Sequence, residues 1–116
     1  MTFGGHVRAA RQRLLEGDRT FSVRQVAQRV GIEPAYLSKI ERDHMAPPSE
    51  AVIRRLAEEL NEDPDLLLAM AGKVSRDLKN IILRRPRLFA DLLRQVKDAP
   101  EHAILRIVRE VRDGNW

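Results

Sequence analysis

Three observations predict an all-α fold. Apolar residues recur at three- and four-residue steps in successive segments, prolines fall at the boundaries of those segments, and no stretch shows the two-residue alternation of a half-buried strand. Five such segments lie in residues 1–72 and three in residues 73–116. The reading is therefore a five-helix domain followed by a three-helix C-terminal extension.

The first helix carries Phe3, Val7, Ala10 and Leu14 on one face, with Arg8, Arg11 and Arg13 between them, and ends near Gly17. Loop chemistry follows in Gly17-Asp18-Arg19-Thr20. Ser22 and Gln25 have the spacing of a capping box, in which the hydroxyl accepts from the Gln25 amide while the glutamine side chain reaches back, so the second helix starts at Val23. Its stripe is Val26, Ala27 and Val30. Gly31 then supplies a left-handed residue without Cβ strain, and the chain turns sharply. Pro34 suits the first turn of a third helix, because its missing N–H has no partner to lose there. That helix runs to about Arg42.

Ser49 caps a fourth helix with Val52, Ile53, Leu56, Ala57 and Leu60 on a wide apolar face. Asp63-Pro64-Asp65 starts a fifth, which stops at Gly72. Beyond it the proline-punctuated patterns run from Ser75 to about Arg84, Pro86 to about Lys97, and Pro100 to about Arg112, each with an apolar stripe and many arginines.

Charge is unevenly spread over the 116 residues, whose net charge is +4. Residues 1–44 hold 8 Lys/Arg against 5 Asp/Glu, residues 45–72 hold 2 against 6, and residues 73–116 hold 11 against 6. The basic flanks suit a polyanionic partner, although a basic run such as Arg84, Arg85 and Arg87 reads first as a solvated face. There is no cysteine, which excludes disulfides and thiolate metal sites, and neither a membrane-length apolar run nor a signal-peptide layout occurs. A cytoplasmic protein is expected. His6, His44 and His102 are far apart and read as surface residues, and no phosphate-binding glycine loop occurs, so neither catalysis nor a cofactor is expected.

The chemistry concentrates in Ser22–Arg42. With roughly 100° per residue, Leu37 and Ile40 define the inward side of the third helix. Ala35 and Arg42 then lie opposite the core, Ser38 and Lys39 on the shoulders, and Pro34, Tyr36 and Glu41 at the boundary. Small, hydroxyl and cationic side chains on an exposed helix suit the DNA major groove. Tyr36 fits a half-buried packing role equally well.

The order Ala27, Gly31, Leu37 and then Leu37-Ser38-Lys39-Ile40-Glu41-Arg42, followed by Pro48-Ser49, Leu56-Ala57 and Asp63-Pro64-Asp65, resembles the helix-turn-helix of the lambda repressor and Cro (XRE) family over residues 3–72. The resemblance implies a five-helix domain that binds double-stranded operator DNA as a dimer, with the third helix in the major groove. It places the base-reading positions on Pro34, Ala35 and Lys39, and further base or phosphate contacts on Tyr36, Ser38 and Arg42. Ser22, Gln25, Ala27, Gly31, Leu37 and Ile40 become the scaffold of the motif. It also implies an ion pair between Arg11 and Glu41 that aims the third helix.

Three departures from the family pattern stand out. Val23 and Pro34 replace its two glutamines, Asp43 replaces the glycine after the Glu-Arg pair, and the loop before the second helix is about four residues longer. For residues 73–116 the apolar stripes demand a partner surface. Homodimerisation is the preferred reading, and capture of a toxin or a regulatory protease, as in an antitoxin that autoregulates its operon, is the competing one.

Overall fold

In the computed structural model, which describes residues 1–114, the chain forms eight α-helices and no strand among those residues. They are α1 (Phe3–Gly17), α2 (Val23–Val30), α3 (Pro34–Glu41), α4 (Glu50–Leu60), α5 (Pro64–Met70), α6 (Arg76–Arg84), α7 (Pro86–Val96) and α8 (Glu101–Asp113). The chain divides into two compact units, one spanning Met1–Ser75 and the other beginning at Arg76. The first unit thus runs past the Gly72 stop. Lys73 is tied back twice, its N–H donating to the Leu68 carbonyl (2.8 Å) and its Nζ to the Pro48 carbonyl (2.8 Å), and Ser75, immediately before α6, is buried.

In the first unit the helices close around a single core. Val7 and Ala10 of α1, Val26, Ala27 and Val30 of α2, Leu37 and Ile40 of α3, Ile53, Leu56, Ala57 and Leu60 of α4, and Leu67 and Leu68 of α5 are all buried. Each such aliphatic side chain contributes about 1.5–3 kcal/mol through removal of its surface from water. Helix boundaries follow local chemistry. Thr2 accepts from Gly5 N–H at the start of α1 (3.0 Å), Ser49 from Val52 N–H at the start of α4 (3.4 Å), and Asp63 from Asp65 N–H at the start of α5 (2.9 Å). Asn61 ends α4 in the left-handed region at φ 54°.

The loop after α1 is more ordered than turn chemistry alone predicts. Arg19–Phe21 form a single 3₁₀ turn, capped by Asp18, whose carboxylate accepts from the Thr20 hydroxyl (2.7 Å) and N–H (2.9 Å). Those two donors hold the Asp18 carboxyl below its usual range, the hydroxyl more strongly. Because the folded pKa is depressed, this stabilisation is present at neutral pH and is lost only as the pH falls through that lowered value. Phe21 packs against the core beneath. Arg29 of α2 fastens the turn to α4: its guanidinium lies 5.0 Å from the Phe21 ring centroid, NH1 donates to the Thr20 carbonyl (2.7 Å), and Nε pairs with Glu59 (2.6 Å).

His6, read from sequence as a surface residue, is partly buried where α1 meets the end of α4. Its Nε2 lies 3.3 Å from Glu62 Oε1 without the alignment of a hydrogen bond, and Arg13 NH2 approaches the same oxygen to 3.6 Å.

Helices α1 and α3 meet at unusually short range. An ideal Cβ on Gly4 would lie 2.0 Å from the Ile40 carbonyl oxygen and 2.6 Å from Asp43 Oδ1, so only glycine fits there. At Gly17, by contrast, a Cβ would meet nothing within 4 Å.

In the second unit α6 and α7 pack on one another, and no residue of Arg76–Gly114 is buried. Each helix keeps its predicted amphipathic division.

Gly4→Ala is expected to lower stability by about 1–3 kcal/mol, the range for overpacking. Gly17→Ala should be neutral or slightly stabilising. Urea denaturation of the two variants checks both, and equal, small effects contradict the close approach of α1 and α3.

Candidate nucleic-acid interface

The unit Ser22–Arg42 is built from local signals. Ser22 Oγ accepts from Gln25 N–H (3.2 Å), but the exposed Gln25 side chain makes no return bond among the described residues, so half of the expected capping box forms. Water serves the exposed glutamine equally well without fixing its torsions. Ala27 is fully buried, and its carbonyl accepts from both Gly31 N–H (2.9 Å) and Ile32 N–H (3.0 Å), which closes the end of α2. Gly31 has φ 85°, and a Cβ there would meet nothing within 4 Å, so glycine is required by conformation and not by space. Pro34 then takes the first position of α3.

The faces of α3 separate cleanly. Leu37 and Ile40 are buried, Ala35, Lys39 and Arg42 are exposed, and Pro34, Tyr36 and Ser38 are half-buried. Tyr36 packs against the core. Arg42 Nε donates back to the Ser38 carbonyl (3.3 Å), and neither Lys39 nor Arg42 has an acidic partner within ion-pair distance among the described residues. Two cations and a small side chain therefore project from one side of a helix whose other side is fixed in the core. Val23, partly buried at the start of α2, packs against the core.

Glu41 departs from its expected boundary position and is buried. It accepts both arms of a fork from Arg11, with Nε–Oε2 at 2.7 Å and NH2–Oε1 at 2.9 Å, and the remaining Arg11 NH1 donates to the Phe21 carbonyl at 3.0 Å. The side chains are only 6% and 4% exposed. Every strong polar atom of the pair therefore has a partner, which a buried charge pair needs to break even against desolvation. The Phe21 carbonyl comes from the 3₁₀ turn, so the loop before α2 supplies part of the mount.

A second tie secures the same end of α3. Asp43 adopts φ 61°, in the left-handed region that favours glycine, and its Oδ2 accepts from the Thr2 hydroxyl at 2.9 Å. Aspartate tolerates this conformation better than most residues. Sequence reasoning missed Thr2, Gly4 and the Arg29 cluster as supports. Gly4 in an otherwise helical, apolar segment was the available signal, whereas the partners of Thr2 and Arg29 are distant in sequence and leave none.

A family model described as helix-turn-helix matches residues 10–67. The chain belongs to this helix-turn-helix family, in its lambda repressor/Cro-like (XRE) form. No curated protein and no solved structure matches it. The matched span contains α2, α3, Arg11 and Glu41. As a helix-turn-helix protein of the XRE type it is a DNA-binding transcriptional regulator, in a family of regulators and not of enzymes. No described helix is long and apolar enough to cross a membrane.

Replacing one member of the buried pair leaves the other charge without a partner. Arg11→Met and Glu41→Leu should each cost about 3–5 kcal/mol, while the double variant Arg11→Met/Glu41→Leu should recover much of that loss. A double-mutant cycle by urea denaturation measures the coupling, and additive losses contradict it.

Proposed function

We propose that this regulator is a cytoplasmic repressor that binds a palindromic operator as a homodimer, with α3 of each copy in the major groove. The observation that carries the reading is the face of α3: Ala35, Lys39 and Arg42 are exposed and the cations lack acidic partners among the described residues, while Leu37 and Ile40 anchor the opposite side. Lys39 and Ala35 are assigned to base edges, Lys39 to guanine acceptors and Ala35 to a thymine methyl, with Pro34 at the same end of the helix. Ser38, Arg42 and Tyr36 are assigned to phosphate or flanking base contacts, and Tyr36 keeps its packing role. A twofold axis would set two α3 helices about 34–36 Å apart, one DNA turn. Arg11 and Glu41 contribute by aiming α3. Occluding a promoter requires binding alone, and the described residues offer no three-residue metal-ligand group.

Selection of bound sequences from random or genomic DNA with the full chain should return an inverted repeat with half-sites one turn apart. On that site Lys39→Ala should weaken binding by about 10- to 100-fold, the range of one good base contact, and weaken random DNA much less. Arg42→Ala should weaken both similarly and flatten the log–log salt slope by about one unit. Equal loss on both DNAs for Lys39→Ala rejects it as a base reader, and recovery of a single, asymmetric half-site rejects the symmetric homodimer.

A further inference from the structure

The second unit has the secondary structure of a folded domain without the interior of one. Among residues 76–114 no side chain is buried, and Leu83, Leu88, Leu93, Val108 and Val111 each leave more than half of their surface in water. The three helices have 9, 11 and 13 residues, at or below the length of about 12–15 at which an isolated helix is even marginal in water. Units of about 40 residues generally need disulfides, a metal or oligomerisation to hold a fold. The chain has no cysteine, and the described residues contain no metal-ligand group. Of those three, oligomerisation is left.

The surface is of the right size. Together the exposed aliphatic side chains of α6–α8 present on the order of 1,000 Å² of apolar area, more than the largest patch on a typical monomer and comparable with the roughly 800 Å² per partner of a standard interface. The polar faces carry ten Lys/Arg and six Asp/Glu in residues 76–114, interspersed in sequence. A twofold interface needs that mixture, since each residue must find a complementary one on an identical surface.

We propose that α6–α8 fold as they dimerise, each copy's apolar faces forming the core for those of a second copy, so that dimer formation and helix formation in this unit are one transition. The consequence is regulatory. At low protein concentration the DNA-binding unit stands alone with a single α3, and at higher concentration the tail helices form and deliver two, so that operator occupancy rises steeply with protein level. This rests on the homodimer reading and adds its mechanism. Salt gives it a distinctive signature: each tail carries an excess of four positive charges, so screening should favour the tail dimer while weakening DNA binding.

The test follows the full chain from nanomolar to high micromolar concentration by circular dichroism and by mass in sedimentation, at low and high salt. Helical signal and dimer fraction should rise together with one midpoint, which shifts to lower concentration in high salt. Val108→Asp, and separately Leu93→Asp, should move the midpoint up by at least tenfold, with amide spectra of Met1–Ser75 unchanged. A monomer with a fully helical tail across the range overturns the proposal, because another surface of the chain then covers these faces. A dimer whose tail stays unfolded, or whose midpoint ignores both aspartates, overturns it too but leaves the homodimer reading intact. A chain that remains monomeric with an unfolded tail, and occupies a palindrome one copy at a time, overturns both.

Discussion

The buried fork between Arg11 and Glu41 is the constraint on which the DNA-binding unit depends. A helix eight residues long has too few core contacts to determine its own projection: Leu37 and Ile40 anchor α3 in the core but leave it free to roll about that line. Glu41 sits at its last turn, and the planar geometry of a bidentate guanidinium–carboxylate pair fixes both distance and orientation. The net stability gained by such a pair is near zero, because desolvation offsets attraction. Its value lies in direction. The wrong projection of α3 strands a charge out of water, which costs several kcal/mol and excludes that arrangement.

The supports around the pair act at different points on the same helix. Thr2 and Asp43 tie the residues flanking the α1 and α3 ends, Gly4 lets the two backbones approach, and the 3₁₀ turn brings the Phe21 carbonyl to the third nitrogen of the fork. Arg29 then holds that turn against α4 through Glu59 and the Phe21 ring. The 3₁₀ turn before α2 thus becomes part of the mount, and Ala35, Lys39 and Arg42 project from a rigidly held helix. Pre-organisation of this kind spares the protein an ordering cost on binding.

How much of this is legible in the sequence depends on whether a feature's cause is local. Ser22, Gly31, Pro34, Ser49 and Asp63 announce helix ends because capping and φ preferences act within a few residues, and α2 to α5 begin where those signals put them. The periodicity of Leu37 and Ile40 likewise divides α3 into faces. The Arg11–Glu41 pairing comes only through resemblance, since nothing in a run of arginines marks one that will be buried 30 positions from its partner. Thr2 with Asp43, and Arg29 with Phe21 and Glu59, are illegible for the same reason. His6 and Glu41 are misplaced toward the surface because periodicity reports the axis of a helix and not the neighbours that cover its flank. Ser75 marks the start of α6 in the sequence, and its burial comes from tertiary packing that a local pattern does not carry.

The central claim is that the exposed face of α3 is the surface that meets DNA and that the rest of the unit exists to hold it there. Amide and side-chain NMR shifts of the full chain, titrated with its selected operator at moderate salt, test this most directly. The largest changes are expected at residues 34–42, with the Arg11 guanidinium and the Glu41 amide nearly unmoved because their pairing persists. Changes concentrated on α4 and α5, with Ala35, Lys39 and Arg42 unaffected, would contradict it.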